Sequence, residues 1–164
     1  MKNLTGYEAF GKVTITIAII YYILHLLFNK YVWKVSLVKL PDLNGKWDVT
    51  GTTLNEDGST KYTWHGTMAI EQSWEKILIH LKTDKSESLS YTATLSKREG
   101  LLGGWRLSYS YKSDPNTEQQ HELNSHNGYC EIKLDNDLII GDASYFNNNG
   151  RRTFGIMKIE KVKV

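Results

Sequence analysis

From Lys46 to the carboxyl-terminal end, apolar residues return at every second position in one segment after another. That period, more than any other feature, restricts what the chain can fold into. Alternation sends successive side chains to opposite faces, which marks half-buried strands and excludes amphipathic helices. Eight strands are expected. They cover 46–54 (Trp47, Val49, Gly51 and Thr53 on one face), 60–72 (Tyr62, Trp64, Gly66, Met68, Ile70), 74–82 (Ile77, Ile79, Leu81) and 88–97 (Leu89, Tyr91, Ala93, Leu95). They continue through 104–112 (Trp105, Leu107, Tyr109, Tyr111), 128–134 (Cys130, Ile132), 137–146 (Ile139, Gly141, Ala143, Tyr145) and 150–162.

The connections decide the architecture. Asp57-Gly58 and Asn149-Gly150 supply the positive φ of tight hairpins, and 134–138 is another short turn. Only 113–127 is long, and its polar run reads as a surface loop. Short antiparallel strands joined in sequence leave exposed edges, which closure into an up-and-down barrel removes. The expected fold is therefore mainly β, an eight-stranded antiparallel up-and-down barrel, with a two-sheet sandwich as the alternative. Eight strands leave an interior that side chains fill or that holds one small ligand. Gly51, Gly66, Ala93, Gly141 and Ala143 share the phase of larger apolar neighbours, either making room inside or marking bends. In "NGKWDVTG", Gly45 lets the chain bend into the barrel, and Trp47 reads as a core residue at one end.

Ahead of the strands, residues 13–28 carry no Asp, Glu, Lys or Arg. Flanking residues 10–12 and 29–33 extend this run to the roughly 20 residues a membrane helix needs, with Lys12 and Lys30 reaching the interfaces. The run ends in bulky, basic "LLFNKYVWK" rather than in a small-residue cleavage site, which argues against a signal peptide. The expected division is an anchor and basic linker over 1–40 and a barrel domain over 41–164. Lys2 and Lys12 precede the span, whereas Lys30, Lys34, Lys39 and Lys46 follow it, placing the barrel in the cytoplasm of a single-pass inner-membrane protein. Residues 1–40 hold five lysines against one glutamate, and residues 41–164 hold 15 basic and 17 acidic residues. A slightly acidic barrel is no polymeric nucleic-acid binder, since that needs a basic face. The single cysteine, Cys130, rules out an intramolecular disulfide.

Catalytic and cofactor signatures are missing. The glycine-rich 99–105 lacks a following Gly-Lys-Ser/Thr, and His121, His126 and Cys130 match no zinc spacing. No enzyme, metal or cofactor is expected. Aromatic density is the positive signal, with Tyr62, Trp64, Tyr91, Trp105, Tyr109, Tyr111 and Tyr145 in the expected inward phase. Arg106 falls outside. Arg151 and Arg152 follow the Asn149-Gly150 turn, and Arg152 shares phase with Phe154 and Ile156. An arginine at a barrel mouth above stacked rings suits a phosphate bearing a base. The plainer reading is a barrel filled by its own aromatics, with solvated turn arginines.

"NGKWDVTG" resembles the Gly-x-Trp opening of lipocalins, an implication of a tethered carrier of a hydrophobic ligand. A fuller resemblance covers nearly the whole chain. The hydrophobic segment, the short basic linker, "LNGKWDVTGTT" and the closing "GDASYFNNNGRRTFGIMKIEK" are similar to the Cap15 family, membrane-anchored β-barrel effectors of bacterial CBASS anti-phage systems. That resemblance implies a receptor in which the barrel binds a cyclic dinucleotide, protomers associate as a homo-oligomer, and the helices disrupt the inner-membrane lipid bilayer to stop growth of the infected cell. Carried onto this chain, it points to Tyr62, Trp64, Tyr109, Tyr145 and Arg152 as ligand-binding residues and to 13–28 as the effector element. It also implies two membrane helices, where this sequence offers one.

Overall fold

The computed structural model describes residues 6–35, 40–100, 103–119, 124–149 and 151–163. The expectations placed on Lys2, Lys39, His121 and Gly150 lie outside them. The chain divides into two units, one of Met1–Asp42 with Ser73–Glu75, the other of Leu43–Gln72 with Lys76–Val164.

In the first unit, helix α1 runs over Gly6–Lys30. Its stretch Gly11–Lys30 is long and apolar enough to cross a membrane, about 30 Å at 1.5 Å per residue. Its side chains stand exposed on all sides, the opposite of a core helix. At its end, Asn29 Oδ1 accepts from Glu75 N, the Asn29 carbonyl accepts from Trp74 N, and Phe28 meets Trp74 edge to face. The expected third strand starts at Trp74, but Trp74 belongs to this unit.

The second unit is a closed antiparallel barrel whose strands neighbour one another in chain order. They are β1 (Gly45–Leu54), β2 (Thr60–Gln72), β3 (Ile77–Thr83), β4 (Ser86–Lys97), β5 (Trp105–Pro115), β6 (His126–Leu134), β7 (Ile140–Asn148) and β8 (Phe154–Lys161). Pairing of β1 with β8, from Trp47 opposite Lys161 to Leu54 opposite Phe154, closes the ring. Gly45 enters β1 at φ 129°, and the hairpin tips use Gly58 at φ 83° and Asn149 at φ 50°, a region open to glycine and tolerated by asparagine.

Two inward phases differ from the sequence expectation. In β4 the register shifts between Ser90 and Thr92, leaving Tyr91 as the extra residue of a bulge. One added residue flips the face, so Leu89 (49% exposed) and Tyr91 (62% exposed) point outward while Ser88 and Ser90 point in. Ser90 Oγ then accepts a hydrogen bond from Ile79 N at 2.9 Å, just beyond the last β3–β4 pair, His80 opposite Leu89. In β8 the inward residues are Gly155, Met157 and Ile159, whereas Phe154 and Ile156 are exposed. Residues directly opposite share a face, and these three pair with the inward Thr53, Gly51 and Val49. Phe154 instead opposes Phe146 on the outer wall, where Phe146 also packs on Tyr129.

The lumen has two halves. At the end where the chain enters from Leu43, the residues Leu43, Trp47, Val49, Met68, Ile70, Ile79, Leu107, Ile132, Leu134 and Ile159 form a solid apolar floor. Trp47 is fully buried there and donates its indole N–H to the Leu43 carbonyl at 3.1 Å. Burying such a floor is the main favourable term for a barrel of this size. Above the floor the lining turns polar and the lumen opens.

Candidate functional site

The open half is a cavity of about 520 Å³. Its upper wall carries residues from the mouth-side halves of β1, β2, β3, β4, β5, β6 and β7, together with Arg151 and Thr153 ahead of β8. Three cross-strand pairs explain why aromatic side chains line this space without filling it. Trp64 opposes Gly51, Tyr111 opposes Gly128, and Tyr145 opposes Gly155. A methyl group at Gly51 would stand 2.1 Å from the Trp64 ring, and one at Gly128 would stand 2.3 Å from the Tyr111 ring. The Trp64 ring lies over Gly51, the tip of Tyr111 over Gly128, and the Tyr145 hydroxyl close to Gly155, so each is held against the wall. The small residues in the aromatic phase therefore create room.

Hydrogen bonds hold these rings in place. Tyr145 Oη accepts from Trp64 Nε1 at 3.2 Å and shares a hydrogen bond with Thr53 Oγ1 at 2.7 Å. Tyr111 Oη donates to Asn147 Oδ1 at 2.7 Å, and Asn147 Nδ2 donates to Thr153 Oγ1 at 2.7 Å. At the rim the Arg151 guanidinium donates to Tyr62 Oη. Lower in the lumen, Tyr109 opposes Cys130 and its ring centroid lies 5.7 Å from that of Tyr111. Burial pushes the phenols of Tyr109, Tyr111 and Tyr145 above their ordinary range and the Cys130 thiol up to about 12. They stay protonated at neutral pH.

Of the five residues singled out from the sequence, Tyr62, Trp64, Tyr109 and Tyr145 line the cavity together. Arg152 does not. It lines a separate depression of about 310 Å³ with Leu54, Lys61, Phe146 and Phe154. The cause is the β8 phase, in which Arg151, not Arg152, is in step with Gly155 and Met157. Arg106 lies on the outer wall, as its phase indicates, 3.4 Å from Glu131.

The polyserine side of the cavity is absent from the sequence expectation. Ser86, Ser88 and Ser113 line it with His126, although 113–127 reads as a surface loop. Strand β5 extends to Pro115 and β6 begins at His126, so both ends of that segment enter the barrel. The available signal is period two itself, since His126, Gly128, Cys130 and Ile132 continue one phase. Burial holds the His126 imidazole below its ordinary pKa, opposed by its hydrogen bond to the Asn124 carbonyl. Around the mouth, Arg151 and Lys85 carry positive charge and Asp84 negative charge. Such a space offers aromatic faces, neutral hydrogen-bonding groups and a forked cation.

A family model described as "Cap15, cyclic dinucleotide receptor domain" matches residues 38–161. A protein of Yersinia aleksiciae, "CD-NTase-associated protein 15", is 39% identical over 148 residues, covering 88% of this chain and 68% of that protein.

Proposed function

We propose, for a chain that belongs to the Cap15 cyclic dinucleotide receptor family, that the open half of the barrel takes a cyclic dinucleotide and that binding turns the protein into a membrane-disrupting effector of a CBASS anti-phage system. The observation that carries this reading is a lumen closed by an apolar floor, walled by aromatic rings and crowned by the inward Arg151. The volume of about 520 Å³ falls within the range of roughly 300–1,000 Å³ of small-molecule sites. A dianionic ligand with two bases finds ring faces for stacking and a guanidinium fork for a phosphate. The tethered-carrier alternative gains no support, because an apolar guest would leave the hydroxyls of Ser88 and Ser113 facing it without partners.

Residues 1–40 act as anchor and linker and residues 41–164 as the ligand domain. Helix α1 crosses the bacterial inner membrane once, with the barrel in the cytoplasm where a soluble messenger is made, and the lysine excess after the span supports that direction. Ligand-driven association of barrels raises the local concentration of the helices, whose assembly perturbs the bilayer. Protease added to spheroplasts should leave the barrel intact. Its digestion there would contradict this orientation.

The direct test is a calorimetric titration of the detergent-solubilised full chain with a panel of cyclic dinucleotides. At least one should bind saturably and shift the chain to a larger species on size exclusion. A folded chain that binds none of them ends the receptor reading.

A further inference from the structure

Ser88, Ser113 and His126 stand in one row across three strands. Ser88 opposes Ser113 in the β4–β5 pair, and Ser113 opposes His126 in the β5–β6 pair. Neighbours in such a row are about 4.5–5.5 Å apart, so three groups span roughly 10 Å at one level of the lumen. All three are polar and more than nine-tenths buried, at 9%, 4% and 7% exposure, and all line the cavity. Neither serine hydroxyl has a hydrogen-bond partner among the described residues. Among the described residues, the fully buried side-chain atoms that lack a partner are those of Trp33 and Gln119, so the polar atoms of this row are not sealed in the core but face the cavity, where a ligand can reach them.

The chemistry of each member is definite. A serine hydroxyl both donates and accepts. His126 Nδ1 lies 3.1 Å from the Asn124 carbonyl, which can only accept, so that nitrogen carries the proton. In the neutral ring Nε2 is then an acceptor, and it has no partner among the described residues. The groups that face the imidazole are Arg151 and Asp114, and Asp114 is itself held by Lys112 and Ser125.

Tyr62 and Trp64 come from β2, which is adjacent to none of β4, β5 and β6, whereas Tyr145 stands on β7 beside β6, and Tyr109 and Tyr111 share β5 with Ser113. A ring wall accepts any base by its face, because every base has one. A row of hydroxyls and an imidazole acceptor offers little to a face and much to an edge. We propose that the cavity reads its two bases unequally: one stacks on the aromatic wall with little selection, and the other is taken edge-on by Ser88, Ser113 and His126, which determine base identity. This inference rests on the cyclic dinucleotide reading and specifies how that site selects among such ligands. The edge-read base must bring an N–H to His126 Nε2.

The test titrates the detergent-solubilised full chain with matched symmetric and mixed cyclic dinucleotides, written B–B, B–X and X–X for a favoured base B. The expected result is that B–B and B–X bind within about threefold of each other, with X–X at least about tenfold weaker, as an unpaired buried polar group entails. His126→Phe and Ser113→Ala should each shrink that B–B to X–X ratio by about tenfold, while Arg151→Ala lowers all three together. Thermal melting confirms that each variant is folded, and Ser88→Ala provides a second, smaller change in the row. Two results overturn the inference: B–X lying midway between B–B and X–X on a logarithmic scale, or row variants that weaken every ligand by one common factor. A wild-type chain that binds none of the ligands overturns the receptor reading itself, which is a different outcome.

Discussion

Arg151→Ala should weaken cyclic dinucleotide binding by roughly 10- to 100-fold, because hydrogen bonds to a charged group contribute about 1.5–3 kcal/mol each. Its neighbour Arg152 carries the same charge one residue away, and Arg152→Ala should change affinity by about twofold or less, the screened effect of a rim charge. The pair isolates geometry from charge. Only Arg151 is in step with Gly155 and Met157, lines the cavity and bonds to Tyr62. Arg151→Lys should recover only part of the loss, since an ammonium lacks the planar fork that matches a phosphate. Equal losses for the two alanine variants, measured by calorimetry on folded full-length protein, would contradict the assignment of β8 phase to function.

The glycines beneath the aromatic rings give the second large effect, and it divides by what each glycine touches. A Cβ at Gly155 would lie 2.1 Å from the Thr52 carbonyl oxygen and 2.9 Å from Tyr145 Oη. Backbone at that distance cannot step aside without opening the β1–β8 seam, the pairing that closes the barrel. Gly155→Ala should therefore cost about 3 kcal/mol or more, seen as a large fall in the thermal midpoint. At Gly51 the three nearest atoms all belong to the Trp64 side chain. There the ring can swing inward, so Gly51→Ala should keep the barrel folded while breaking the Trp64–Tyr145 hydrogen bond and narrowing the lumen. The expected readout is a midpoint within a few degrees of wild type and ligand affinity lower by roughly tenfold, the scale of one lost stacking platform. A Gly51→Ala chain with undiminished affinity would show that the placement of Trp64 against the wall is not needed.

How much of this was legible in the sequence follows from what period two can carry. It fixes the existence and order of strands, because every half-buried strand repeats it, and so the barrel, the floor around Trp47 and the inward rings of Tyr62, Trp64, Tyr109 and Tyr145 were all readable. It cannot carry an inserted residue. The bulge at Tyr91 leaves the alternation of Leu89, Tyr91, Ala93 and Leu95 unbroken in the sequence while reversing its direction in space. Ser88 was hidden for that reason, whereas Ser113 was hidden because it opens the polar segment 113–127. In β8 both phases are apolar, with Phe154 and Ile156 on one and Met157 and Ile159 on the other, and size favours the wrong one. Only the pairing with β1 decides between them, and that is long-range information. His126 was concealed by polar company in 113–127, where composition reads as loop although both ends of the segment are strand.

The outward turn of β4 has a structural consequence as well as a cost. Leu89 and Tyr91 lie exposed on the outer wall, and in their place the lumen gains Ser88 and Ser90. An unbulged strand would carry a leucine and a tyrosine into the upper lumen, converting the cavity into more of the apolar floor. The bulge thus does for β4 what Gly51, Gly128 and Gly155 do for their partner strands: it keeps the space open above a packed base.

The most direct measurement is a ligand-bound structure of the full chain with a cyclic dinucleotide that saturates it in solution. The account predicts the ligand inside the barrel above Trp47, with one phosphate on the Arg151 guanidinium and one base edge on Ser88, Ser113 or His126. A ligand seated on the outer wall beside Arg152 and Phe154, with the lumen unchanged, would contradict it.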